Sequence, residues 1–189
     1  MPILGITASS KLGVTGAFES IATATGTGSS GTITFSSIPS TYQHLQIRMI
    51  SRHDGPSSGN GANLITFNSD TGNNYTLHSL RGSGSAASAV GYATGTYAGV
   101  LIEGVPGDLT TSNVYGVSIV DIHDYASTSK YKTARIFGGL DRNDTFGLIR
   151  LNSSLWLDTS AISTITVTNV NGANFKTGST FALYGIKGA

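Results

Sequence analysis

The chain has 189 residues, a mass of 19.5 kDa, no cysteine, and 11 Lys+Arg against 10 Asp+Glu, so that 11% of it is charged where about 25% is usual. That length fits one domain burying roughly 70% of its unfolded surface without staples, and disulfides and cysteine–zinc sites are excluded. A net charge of +1 removes the electrostatic case for nucleic acid, because counterion release needs several clustered cations. Charge is replaced by 25 Gly, 25 Ser and 24 Thr, 74 residues that favour strands and turns over helices.

From the N-terminus, Met1-Pro2-Ile3-Leu4-Gly5-Ile6 is apolar for a few residues only and has no positive region before it. It is too short for a signal peptide or for a span of about 20 apolar residues, and no later run approaches that length. The chain is therefore expected to stay in the soluble phase. Residues 1–15 hold little alternation and read as an extended arm, and residues 16–189 read as one β-sandwich domain. Strong helix formers never fill a window of about 12 residues.

Strand patterns recur instead. In order they are the segment Phe18 to Thr25, Thr32-Ile33-Thr34-Phe35, the alternating Leu45, Ile47 and Met49, Leu64 to Phe67, Val100 to Ile102, Val117 to Ile122, Ala134 to Phe137, Leu148 to Leu151, Ile162 to Val167, and Phe181 to Tyr184. Period-two alternation of β-branched and aromatic residues, cut by Gly, Asn, Asp and Pro, is the strand signature. Roughly ten short strands at this spacing predict an all-β antiparallel sandwich or barrel. Dense turn chemistry lies at 26–31, 68–74 and 171–174. Two stretches, 53–62 and 81–94, are poor in large apolar residues and read as mobile surface loops.

Several spacings resemble catalytic or binding motifs. Gly26, Gly28 and Gly31 match G-x-G-x-x-G, but a dinucleotide site needs a helix directly after it, and a strand follows; a hairpin turn is the better reading. Asp70-Thr71-Gly72 copies the aspartic-protease tripeptide, yet that chemistry needs a second carboxylate to share the proton, so a turn is favoured. His44, His53, His78 and His123 show no metal-ligand spacing. Asp121, His123 and Asp124 could form a metal or acid–base site, although hydrogen bonding at a strand end is favoured. Serine lies in no Gly-x-Ser-x-Gly elbow, and a glycan-cleaving carboxylate pair would have to come from two Glu and eight Asp that sit mostly in turns. No enzyme activity and no cofactor are expected. Trp156 reads as a core or interface residue, while Tyr92 and Tyr97, beside the 81–94 loop, are the candidates for stacking on sugar rings.

The stretch 31–48, from Gly31-Thr32-Ile33-Thr34-Phe35 through Ile38-Pro39-Ser40 to Leu45-Gln46-Ile47-Arg48, resembles small structural proteins of tailed bacteriophages of the cyanophage and marine-phage type. Phe67 to Tyr75, Val120-Asp121-Ile122-His123-Asp124-Tyr125, Lys130-Tyr131-Lys132-Thr133 and Phe181 to Gly188 extend the resemblance, in order, over nearly the whole chain. The resemblance implies a virion protein with a jelly-roll-like sandwich that assembles as a homotrimer. Relatives carry labels such as tail fibre, head fibre or structural protein, so the resemblance does not fix the place on the virion. A fibre normally spaces its tip from the particle with a repetitive or coiled-coil shaft, and this chain has neither heptads nor repeats. The expectation is thus a capsid decoration (cement) protein on the outer surface of the virion, made in the host cytoplasm without a signal peptide. Its partners would be itself and the major capsid protein, with Pro2, Ile3, Leu4, Ile6 and Leu12 of the arm as capsid contacts. An alternative reading is a receptor-binding module at a tail or head fibre, with Tyr92 and Tyr97 on host surface glycans.

Overall fold

A computed structural model describes residues 16–57, 61–142 and 144–188, and for 94–96 the backbone alone. The arm and its contact candidates Pro2, Ile3, Leu4, Ile6 and Leu12 lie outside the described residues.

Among the described residues twelve strands form two antiparallel sheets: β1 (Phe18–Thr25), β2 (Thr32–Phe35), β3 (His44–Ser51), β4 (Gly61–Phe67), β5 (Tyr75–Gly82), β6 (Ala87–Tyr97), β7 (Val100–Val105), β8 (Gly116–Ile122), β9 (Lys132–Asp141), β10 (Gly147–Trp156), β11 (Ile165–Asn169) and β12 (Thr180–Ile186). The larger sheet runs β1-β12-β3-β8-β9-β10-β5-β6 and the smaller β2-β11-β4-β7. Taken without β5, β6, β9 and β10, the remaining strands pair as β1-β12-β3-β8 facing β2-β11-β4-β7, the strand order of an eight-stranded jelly roll. The hairpins β5–β6 and β9–β10 widen the first of those sheets along one edge. The expected all-β, jelly-roll-like sandwich is therefore present, with twelve strands rather than ten.

Period-two alternation builds the core. Leu45, Ile47 and Met49 of β3, Val120 and Ile122 of β8, and Phe181 and Leu183 of β12 point inward and are almost wholly buried. They meet Ile65 and Phe67 of β4 and Ile165 and Val167 of β11 from the smaller sheet. Each such side chain contributes about 1.5–3 kcal/mol when fully buried. The two missed strands, β5 and β6, occupy the segment read as a loop at 81–94 and the residues before it. β6 lies at the outer edge, and residues 87–93 are all exposed, so burial never required large apolar residues there.

The glycine cluster at 26–31 is a connection between sheets, not a hairpin, because β1 and β2 belong to different sheets. Its glycines allow the chain to touch the segment before β12. A Cβ on Gly31 would collide with the Ala173 carbonyl, and one on Gly26 with the Lys176 carbonyl. Backbone bonds Gly28 N–H to Phe175 O and Phe175 N–H to Ser30 O, at 2.9 and 2.8 Å, hold the two segments together. The loop at 53–57 is likewise tied down: His53 is fully buried and bridges to Phe175.

Asp70 closes one end of the core. Asn68 and Ser69 adopt φ of 50° and 60°, and Asp70 N–H bonds Phe67 O at 2.9 Å, the geometry of a type I′ turn. The Asp70 carboxylate accepts Trp156 Nε1–H at 2.7 Å and Gly72 N–H at 2.8 Å. Trp156 in turn stacks on Tyr75 and meets Phe67 edge-on. Asp-Thr-Gly is thus a turn that orients the buried indole. Burial pushes the Asp70 pKa up, but the bonds from Trp156, Asn74 and Gly72 outweigh it and hold the carboxyl below its ordinary value. Because the folded pKa is depressed, the unfolded chain binds more protons, and this stabilisation is lost as pH falls below the ordinary 3.8. Asp70→Ala should cost about 1–3 kcal/mol in urea denaturation at pH 7, since a buried indole N–H loses its acceptor. The difference from wild type should shrink as pH drops below about 4; a constant difference would count against the bonded carboxylate.

Candidate binding surfaces

The outer face of the large sheet carries apolar side chains where an isolated sandwich would carry polar ones. Strand register places them in two rows. One runs Ile50, Val117, Gly139, Ile149, Gly82, and the next runs Arg48, Ile119, Phe137, Leu151, Leu80. Val117, Phe137, Ile149, Leu151 and Leu80 are each at least half exposed. A third row, Gln46, Asp121, Arg135, Ser153, His78, is polar and bounds the band. Gly139 stands between Val117 and Ile149 and Gly82 beyond it, so large residues alternate with gaps and the face sinks into an open trough of about 860 Å³. At strand spacings of about 4.8 Å the apolar band covers roughly 400 Å², within the range where the largest patch of a soluble domain is often functional. At its end the Arg48 guanidinium lies over the rings of Phe18 and Tyr184, 5.8 and 5.3 Å from their centroids.

A second, smaller site sits on the opposite side of the β5–β6 hairpin. The inward residues of this hairpin reach past the edge of the smaller sheet and face its last strand, β7. Leu77 and Arg81 of β5 stand beside Tyr92 and Ser88 of β6, and β7 supplies Glu103. Arg150 of β10 completes a pocket of about 180 Å³. Arg150 is 9% exposed, forms an ion pair with Glu103, and reaches Ser79 Oγ at 3.5 Å. Burial pushes the Glu103 carboxyl above its ordinary value although Arg150 and Arg81 both act to lower it. Burial lowers the Arg150 pKa, with Glu103 opposing. The Nε atoms of Arg150 and Arg81 are both buried without a hydrogen-bond partner.

Tyr92 and Tyr97 do come together. They flank no flexible loop; both lie on β6, their rings meet edge-to-face at 5.5 Å, and both line this pocket. Arg81, Glu103 and Arg150 escaped the sequence reading. The available signals were that Glu103 is one of two glutamates, and that Arg150 takes an inward position on a strand whose outward neighbours, Ile149 and Leu151, are apolar.

Of the Asp121, His123, Asp124 group, the two carboxylates are used locally, while His123 packs edge-on against His44 at 5.0 Å with its Nε2 buried and unbonded. Gln46 Nε2 donates to Asp121 at 2.7 Å, Lys130 donates to Asp124 at 2.7 Å, and Asp124 N–H bonds His44 Nδ1 at 3.0 Å. The Lys130 bond holds the Asp124 carboxyl below its ordinary value. Among the described residues no group of three His, Asp or Glu side chains is placed to hold a metal ion.

The chain matches no protein-family model, no curated protein and no solved structure.

The Arg150–Glu103 pair is little exposed, so solvent screens it weakly. A double-mutant cycle of Glu103→Ala and Arg150→Met should return a coupling of about 1–3 kcal/mol, the single Glu103→Ala being the more damaging because it strands a buried cation. A coupling near zero would mean that the pair does not form.

Proposed function

We propose that this chain is a bacteriophage virion structural protein, a capsid decoration protein that binds the outside of the assembled major-capsid lattice as a homotrimer. The observation that carries the reading is the exposed apolar band across the outer face of the large sheet. A protein with so little charge has few means of keeping such a face in water, and an assembly that covers the face resolves this. The occupant we assign is a second copy of the chain. Charges around the band come in both signs, with Asp121 directly across from Arg135 and with Arg48 and Asp141 both among the residues lining the trough, so the face makes no demand for a strongly charged partner. A band of roughly 400 Å² is about half of what one partner buries in a standard interface, which leaves the polar rim to supply the remainder. Closure around a threefold axis makes the contact heterologous: the band of one copy meets a different surface of the next.

Decoration acts by linkage. A ligand of the assembled shell that does not bind its separated subunits stabilises the shell by mass action. A trimer engages three lattice points together, so modest contacts add through effective concentration. Scarce charge suits flat contacts, because few ions are desolvated. The arm, with Pro2, Ile3, Leu4, Ile6 and Leu12, is the assigned capsid contact, and the virion setting is proposed on the resemblance of segments such as 31–48 to small phage structural proteins.

Quantitative mass spectrometry of purified virions should find several hundred copies per particle, and a handful of copies would place the protein in a tail device instead. Deleting residues 2–12 should abolish loading onto particles and leave the trimer intact. Unchanged occupancy would remove the arm from the capsid contact.

A further inference from the structure

We infer that the pocket between the β5–β6 hairpin and β7 is a binding site for an acidic sugar, a pyranose unit bearing one carboxylate. This inference stands apart from the decoration role and holds whatever surface the protein occupies.

The charge count of the pocket comes first. Two guanidinium groups, Arg81 and Arg150, surround one carboxylate, Glu103, so the lining is one positive charge in excess. Arg150 is more than nine-tenths buried, and its Nε–H has no acceptor. The Arg81 Nε–H is buried and unbonded as well. Both arginines line the pocket, and a buried charged donor without an acceptor is costly, so each guanidinium keeps hydrogen-bonding capacity to spare beside the cavity. A carboxylate offers two acceptor oxygens and a single negative charge, which matches both the donors and the excess charge. A phosphate group near its dianionic form would overshoot that charge and be repelled by Glu103.

The rest of the lining selects what the carboxylate is attached to. Tyr92 is 39% exposed and lies edge-to-face with Tyr97, so that two phenol rings line the pocket. Ring faces stack on the C–H face of a pyranose, and amphipathic aromatics combine that contact with hydrogen bonding. Glu103 and Ser88 add acceptors for sugar hydroxyls, which a simple alkyl carboxylate would leave unused. The volume of about 180 Å³ is below the ~300–1,000 Å³ of sites for drug-sized ligands, and so suits one sugar ring rather than an oligosaccharide or a nucleotide. A neutral sugar fits the rings but leaves both guanidinium donors as they are.

The test is titration of the purified full-length protein with methyl glucuronoside, methyl sialoside, methyl glucoside and inorganic phosphate, read by isothermal calorimetry and by shifts of amide NMR signals on β5, β6 and β7. Saturable binding of at least one acidic glycoside, at least about tenfold tighter than methyl glucoside and than phosphate, is the expected result. Tyr92→Ala and Arg81→Met, both at partly exposed positions, should each weaken that binding about tenfold or more while circular dichroism and thermal midpoint stay near wild type. Absence of saturable binding for both acidic glycosides would overturn the inference. So would equal affinity for methyl glucoside, tighter binding of phosphate, or binding that neither variant weakens.

Discussion

A four-stranded sheet cannot cover an eight-stranded one, and most of what is distinctive in this molecule follows from that mismatch. Within the jelly roll, β1-β12-β3-β8 meets β2-β11-β4-β7 strand for strand, and the inward residues of both layers bury one another. The added strands β9, β10, β5 and β6 must end their inner face on whatever the smaller sheet can reach. Trp156 and Tyr75 fill the space at one end of β10 and β5. Farther along the same two strands the inward positions turn polar, with Arg150, Asn152 and Ser79, and the Glu103 carboxylate of the edge strand meets them. Beyond β7 the described residues supply no opposing strand, and β6 residues 87–93 are exposed. The pocket is therefore a product of the overhang, and widening the sheet also enlarged the outer face that carries the apolar band.

Scarcity of charge gives each buried cation a visible task. Arg52, 5% exposed, donates to the carbonyls of Thr110, Thr111 and Val114 and fixes the connection between β7 and β8. Lys132 is fully buried, donates to the carbonyls of Lys130 and Thr159 at 2.7 and 3.0 Å, and lies over the Trp156 ring. Burial lowers its pKa, with Asp158 and Asp124 opposing. These two cations bond backbone carbonyls that loops would otherwise leave without donors. Arg150 differs: its main partner is a carboxylate, and part of its donor capacity remains unused. That difference separates a structural cation from one at a binding site.

Legibility in the sequence tracked burial. β3, β8, β11 and β12 alternate because both their neighbours and the opposite sheet bury one face, so Leu45-Ile47-Met49 and Phe181-Leu183 identified themselves. β6 reads Ala-Ser-Ala-Val-Gly-Tyr because its inner face meets a pocket and solvent, and no periodic constraint acts on it. The turn chemistry of 26–31 was plain, but whether such a turn joins neighbours in one sheet or crosses between sheets depends on pairings with residues 172–179, about 150 positions away. The same distance hid the pocket. Tyr92 and Tyr97 could be nominated from residue type, whereas Arg81, Glu103 and Arg150 acquire meaning only once β5, β7 and β10 converge. Ile119, Phe137 and Leu151 were within the predicted strands and Leu80 was in the missed β5, yet only the register lines the four into a single row.

The account rests on that row being covered in the working assembly. Sedimentation equilibrium of the wild-type protein, set beside Phe137→Glu and Leu151→Glu, addresses it most directly. Wild type should sediment at three times the 19.5 kDa chain mass, and each variant, with a charge placed in the middle of the band, should sediment as a folded monomer. A wild-type monomer at micromolar concentration, or variants that remain trimeric, would contradict the assignment of the band to self-assembly.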